Sequence, residues 1–210
     1  NSKKLEIRNN TLNDNSALDK GPLFFLNKIE NTEIKNNTLL NNYGKNNGII
    51  YLTGNEKISI TNNKISNNKG DNKETIWIES TKQVNITNTY FNNNKNTMTL
   101  YNTTATINNI TLKNNNGNLG NIKINNSTVT INNSLFTDNT ANHGGAIYNE
   151  GNLTITNSKF KNNNAKLSIG TMHTFSIGTE FDGGGGDIYN NGNALLINIT
   201  STNSEDFTLG

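Results

Sequence analysis

The 210-residue sequence has no cysteine, one proline (Pro22), one arginine (Arg8), one tryptophan (Trp77) and no apolar run long enough to cross a membrane as a helix. Each absence excludes something. Without cysteine there is neither a disulfide framework nor a cysteine-based zinc site. With 31% hydrophobic residues and a mean hydropathy of -0.69, a thick globular core is excluded. Asparagine fills about a quarter of the positions, as in many disordered chains, but proline is scarce, isoleucine and threonine are abundant and the net charge is only +2. Those features favour order. The pI of 8.7 comes from dispersed lysines, not from the concentrated basic patch that a phosphate backbone requires. The N-terminus carries no charged-then-apolar export signal.

What is present is a repeat. Ile7, Ile34, Ile60, Ile86, Ile107, Ile131 and Ile155 are separated by 27, 26, 26, 21, 24 and 24 residues. Two positions after each anchor comes Asn9, Asn36, Asn62, Asn88, Asn109, Asn133 and Asn157. Eight positions after comes Asn15, Asn42, Asn68, Asn94, Asn115, Asn139 and Asn163. Between them stands an apolar residue at Leu12, Leu39, Ile65, Phe91, Leu112, Phe136 and Phe160. A second apolar pair precedes the anchors, for example Phe24 with Leu26, Ile50 with Leu52, and Ile76 with Ile78. Period-two alternation in short runs broken by Asn and Gly reads as strands, with no helical periodicity.

The sequence therefore predicts an all-β solenoid, a right-handed parallel β-helix of eight or nine coils of about 21–27 residues, three strands to the coil, forming a rod of roughly 40 Å. Both Asn columns are expected to be structural. Asn tolerates the left-handed backbone of a tight turn, and its amide can bond to the coils on either side, so stacked Asn ladders are expected. After Asn163 the register loosens. Ile177 is a candidate extra anchor, residues 167–186 are expected to form a protruding glycine-rich loop or irregular coil, and Leu195, Ile197 and Ile199 a last inward-facing strand. Residues 1–210 are expected to be a single β-helix segment of a larger exported protein, because neither end resembles a solenoid cap.

Phe136 to Asn139 (FTDN) followed by Gly144 to Ile147 (GGAI) resembles the repeat of chlamydial polymorphic outer membrane proteins. A partial second copy follows at Phe160 to Asn163 and Gly185 to Ile188. In its Asn-rich, cysteine-free form the chain is most similar to adhesin-like surface proteins of methanogenic archaea. That resemblance implies an extracellular, cell-surface attachment or stalk module, without catalysis and without a cofactor. The implied partners are a glycan or protein of another cell, or neighbouring copies. A structural surface-layer or filament component is an alternative on the same resemblance.

A polysaccharide lyase or glycoside hydrolase of the same fold is the rival. Such chemistry needs two carboxylates across a cleft. Its nearest candidates are His173, Glu180, Asp182 and Asp187 around four glycines, a segment that reads first as a glycine loop with ordinary surface charges and only second as an active site. Asp182 and Asp187 are also weak calcium candidates, carboxylates being calcium's preferred ligands. His143 lies in a turn with no second metal-binding residue near it. Alternation turns Trp77 outward, with Tyr51, Tyr101, Tyr148 and Tyr189 on comparable links. These are the candidate ligand-binding residues, since outward aromatics stack on sugars or anchor a protein interface. Thr154 and Thr156 do not extend into the threonine array that ice binding would need. Sequons such as Asn85, Asn102, Asn125 and Asn152 are the residues that glycosylation would use in an exported protein.

Overall fold

The computed structural model describes residues 2–17, 23–46, 48–166 and 186–206. Every regular element among them is a strand, and every strand pairing is parallel. Each full coil runs through a leading strand (such as Ile50–Thr53), an anchor strand (Lys57–Thr61), a three-residue trailing strand (Lys64–Ser66) and a two-residue strand (Lys69–Gly70). The fourth strand is additional to the three expected. In two later coils the leading and anchor strands run together as Ile122–Asn132 and Ile147–Thr156. Like positions stack in register, with Ile34 on Ile60, Ile60 on Ile86, Ile86 on Ile107 and Ile107 on Ile131.

The anchor column holds eight strands, so seven complete turns lie between the first and the last. That is slightly fewer than expected. Ile177 lies outside the described residues, and the anchor strands on either side of it, Ile147–Thr156 and Asn193–Ile197, pair directly with each other. In the last coil the sequence reading was one residue out of phase. Ile155 pairs with Leu196 and Leu153 with Ala194, so Leu195 and Ile197 point outward and are 44% and 46% exposed. Both parities of Ala194-Leu195-Leu196-Ile197 are apolar, so alternation alone could not choose between them. Ile199 does pack against the core.

The core is a set of stripes one side chain wide. Isoleucines fill most of it, and Phe136 lies on Phe160 with ring centroids 4.6 Å apart and planes 8° from parallel. Between the stripes run polar columns at the corners. At each corner a residue with positive φ turns the chain, and the next residue points inward. Asn9, Asn36, Asn62, Asn88, Asn109, Asn133 and Asn157 are such turn residues, with φ between 50° and 60°, and all are exposed. The expected ladder is present at that column only in pieces and on the surface, with Asn36 Nδ2 donating to Asn9 Oδ1 at 3.2 Å and Asn109 Nδ2 to Asn88 Oδ1 at 2.8 Å, while Asn133 and Asn157 donate to Asn108 and Asn132 instead. The inward position belongs to the following residue: Asn10, Asn37 and Asn63, then Thr89, Ile110, Ser134 and Ser158.

The other column is a continuous ladder. Asn42, Asn68, Asn94, Asn115, Asn139 and Asn163 are 0–2% exposed. Each amide Nδ2 donates to the Oδ1 of the next coil's Asn at 2.9 to 3.1 Å, from Asn15 through Asn163. The backbone N–H of each donates to the same Oδ1, as from Asn94 to Asn115 at 2.8 Å. The second Nδ2 hydrogen reaches back to a carbonyl of the previous coil, as from Asn115 to Phe91. Every donor and acceptor of the amide is used, and all the ladder bonds point the same way along the axis.

Replacing Asn115 by Ala strands the Asn94 N–H and Nδ2 and removes the donor to Asn139, each buried loss costing about 1–3 kcal/mol. Asn115→Ala is expected to lower unfolding stability by at least about 3 kcal/mol in urea denaturation at unchanged m. Asn109→Gly, at an exposed φ of 53°, is expected to change it by less than about 1 kcal/mol.

Candidate glycan-binding face

The leading strands present two outward columns. In register, the first reads Phe25, Tyr51, Trp77, Thr99, Lys123, Tyr148 and Tyr189. The second reads Asn27, Thr53, Glu79, Tyr101, Asn125 and Glu150. Trp77, Tyr51, Tyr148 and Tyr189 thus share one column, as the alternation suggested, while Tyr101 stands in the neighbouring one. Phe25 was missed by the sequence reading. It lies two residues from Asn27 on the same face, is 54% exposed, and its ring centroid is 5.3 Å from that of Tyr51.

The N-terminal cluster is built around Glu79. Its carboxylate accepts from the Tyr51 hydroxyl at 2.7 Å and from the Trp77 indole N–H at 2.7 Å, with Thr53 Oγ1 at 3.3 Å. The Lys73 ammonium stands 4.2 Å from the centroids of both the Tyr51 and Trp77 rings. Lys73 is placed there by a loop that folds tightly over Gly70, where a Cβ would fall 2.0 Å from the Lys73 carbonyl oxygen. Partial burial alone would raise the Glu79 pKa, but the bonds from Tyr51 and Trp77 and the charge of Lys73 outweigh it, and the pKa falls below the ordinary value. Burial, with the Glu79 bond behind it, pushes Tyr51 up to about 12.

The C-terminal cluster repeats the composition. Tyr148 and Tyr189 stack with centroids 4.9 Å apart and planes 2° from parallel. Glu150 accepts from the Tyr148 hydroxyl at 2.9 Å and from Asn125 Nδ2 at 2.6 Å. Burial and Glu150 together push Tyr148 up to about 12. His143, in its turn, lies 5.4 Å from the Tyr189 ring and 6.1 Å from that of Tyr148.

The remaining candidates fall elsewhere. His173, Glu180 and Asp182 lie outside the described residues, as do all of residues 167–185. Asp187 is 5% exposed and sits at the C-terminal end of the asparagine ladder, accepting from Asn163 Nδ2, Ser201 Oγ and Ser204 Oγ. Its oxygens face these donors, which is where a calcium ion would have to bind. Burial raises its pKa, and the three hydrogen bonds offset only part of that rise. Among the described residues no group of three or more His, Cys, Asp or Glu side chains is arranged to hold a metal. Around the corner from the aromatic face, a groove of about 840 Å³ is lined by Lys28, Glu30, Glu56, Lys57 and Lys82 among others.

Two titrations follow. Asp187 binds its proton more tightly in the folded chain than in the unfolded one, so its contribution to stability is largest below the ordinary carboxylate value of 3.8 and is lost as pH rises through the raised pKa. Asp187→Asn is expected to remove that part of the pH dependence when thermal melts are compared across the acidic range. Glu79→Gln removes the charge facing Tyr51, and the Tyr51 hydroxyl is expected to titrate below its parent value of about 12 by ultraviolet difference spectroscopy.

Residues 22–205 match the family described as right handed beta helix region. Comparison with curated proteins and with solved structures found no match.

Proposed function

The chain belongs to the right-handed β-helix region family, and from that premise we propose that it is a non-catalytic, cell-surface attachment module that holds glycan along one face of its rod. The observation that carries this reading is the pair of aromatic and carboxylate clusters lined up on the leading strands. Aromatic rings offer flat apolar faces to the C–H surface of a sugar, and fixed carboxylates accept from its hydroxyls. Because the rings sit on strands and not on loops, their spacing along the axis is set by strand pairing, about 4.8 Å per coil. One coil is then close to the length of one hexopyranose unit, and a chain lying along the rod meets a new side chain at each unit.

Binding is favoured over cleavage by where the carboxylates stand. Glu79 and Glu150 are three strand steps apart, about 14 Å, beyond the separation of roughly 5–10 Å at which two carboxylates act on one glycosidic bond. Glu79 is held ionised by its donors, the wrong state for a general acid. Glu6 and Glu33 are register partners, but Glu6 is paired with Lys4 and Arg8, and Glu33 with Lys35. The rival reading, a polysaccharide-cleaving enzyme, rests on the groove. There Glu30 and Glu56 stand one residue ahead of the partners Asn31 and Lys57, with Lys82 bonded to Glu56 at 2.7 Å.

The experiment that separates the readings offers intact cells and a polysaccharide panel to the purified chain, scoring retention together with release of reducing or unsaturated sugar ends. Retention without release is expected, with Trp77→Ala and Tyr148→Ala each weakening retention about tenfold or more. Release of sugar ends that disappears in Glu56→Gln would move the function to the groove and to enzymology.

A further inference from the structure

We propose that the two clusters are subsites for a glycan that carries free amino groups, and that Lys73 is the resident stand-in for such a group in the first of them. The inference rests on the glycan-attachment reading and narrows it to a chemical class.

The N-terminal cluster already holds an ammonium. Lys73 Nζ is equidistant, at 4.2 Å, from the Tyr51 and Trp77 ring centroids, and Glu79 is fixed beside it by both of those residues. Two ring faces and a carboxylate that keeps its charge make a cation site, since a ring quadrupole attracts a cation placed over its face. The carboxylate has no freedom to turn away, because the Tyr51 hydroxyl and the Trp77 N–H occupy its two oxygens. A neutral sugar gains from that carboxylate only a hydroxyl hydrogen bond, whereas the protonated amine of a 2-amino sugar also gains the attraction to charge and ring faces that Lys73 gains.

The C-terminal cluster has the same parts without the lysine. Tyr148 and Tyr189 supply the rings, stacked on each other so that each leaves one outer face open, with Glu150 the carboxylate and the Tyr148 hydroxyl and Asn125 amide its anchors. No described lysine stands over those rings. Between the clusters, in the same column, comes Lys123 after the buried Thr99. Trp77 and Tyr148 are three strand steps apart, about 14 Å, so an oligosaccharide lying along the rod reaches both. Lys123, two strand steps from Trp77 and one from Tyr148, repels an amine at its own position within that span. The pattern fits a partly N-deacetylated amino-sugar chain, with free amines toward the ends and neutral units at Lys123. Two sites on one rigid face also raise the effective concentration for the second contact once the first is made.

Trp77 is the sole tryptophan, so its fluorescence reports the first cluster alone, and calorimetry reports both. The probes are glucosamine hexamer, N-acetylglucosamine hexamer, cellohexaose and a hexalysine peptide, in mildly acidic buffer where the sugar amine is protonated. Glucosamine hexamer is expected to bind about tenfold or more tighter than either uncharged hexamer and than hexalysine. Lys73→Ala, which vacates the first site, is expected to tighten that binding several-fold with a larger change at Trp77. Glu79→Gln and Glu150→Gln should each weaken it about tenfold, and only the first should alter the Trp77 response. Equal binding of all three oligosaccharides would overturn the amine assignment and leave glycan attachment standing. Hexalysine binding as tightly as glucosamine hexamer would overturn it in favour of a cationic peptide. Absence of binding by any oligosaccharide would sink both this inference and the attachment reading.

Discussion

A parallel coil must turn sharply several times in each circuit without leaving a buried amide unpaired, and the structure depends on how its corners meet that demand. The solution is a two-residue device. A residue at positive φ changes the direction of the chain, and the next residue carries its side chain into the corner, where it accepts the N–H that the turn would otherwise strand. Asn does the second task better than Ser or Thr, because an amide also donates forward and backward. The column through Asn15 to Asn163 keeps Asn in every coil and bonds all of them together. Where the other column passes from Asn63 to Thr89, Ile110 and Ser134, coil-to-coil side-chain bonding gives way to a hydroxyl accepting one N–H, or to none. The chain tolerates that weakening at one corner because the corner beside it is continuous.

The ladder is also directional, and direction creates a problem at its end. Each coil passes donors to the next, so the last amide must find an acceptor that asks for nothing in return. Asp187 meets this requirement. A carboxylate accepts from Asn163 and from two serines at once, which no amide could do with a single oxygen. The cost is burial of a charge, visible as a pKa above the ordinary value. The residue that looked in the sequence like a calcium ligand or a catalytic acid is, in the fold, the terminus of the ladder.

The part of the fold legible in the sequence is the part whose spacing is fixed. From anchor isoleucine to ladder asparagine there are always eight residues, because anchor strand, corner and trailing strand admit no insertion, and that constancy revealed the solenoid. The distance from the ladder to the next leading strand varies freely: eight residues from Asn42 to Ile50, four from Asn94 to Met98, and 25 from Asn163 to Ile188. The apolar pair Met98 and Leu100 marks the register after that turn and puts Tyr101 beside Glu79, so the grouping of Tyr101 with Trp77 followed residue type and not phase. The burial of the first Asn column was misjudged for a different reason. Asn-Asn pairs at residues 36–37, 41–42 and 62–63 carry both halves of the corner, and single-position alignment sees only one half. Reading dipeptides would have assigned turn and ladder correctly. No pattern in the sequence announces that Lys73 reaches over two rings, since a loop folded on Gly70 makes that contact.

The same geometry says why the aromatic face calls for a function. Inward positions are dictated by packing, and corner positions by hydrogen bonding. Outward positions on the strands are dictated by neither, and on the anchor face they are largely filled by Thr, Lys, Glu, Ser and Asn, the residues a solvated strand accepts without cost. The leading strands depart from this. Five of the seven positions in one outward column are aromatic, at Phe25, Tyr51, Trp77, Tyr148 and Tyr189. The fold does not need them, and exposed rings in file are a liability for a rod that must stay soluble. Glu79 and Glu150 tie down the ring hydroxyls and the indole, leaving the rings fixed in orientation beside polar groups. Rings held rigid and kept wet, at a spacing set by the backbone, are what a surface needs in order to meet a polymer unit by unit.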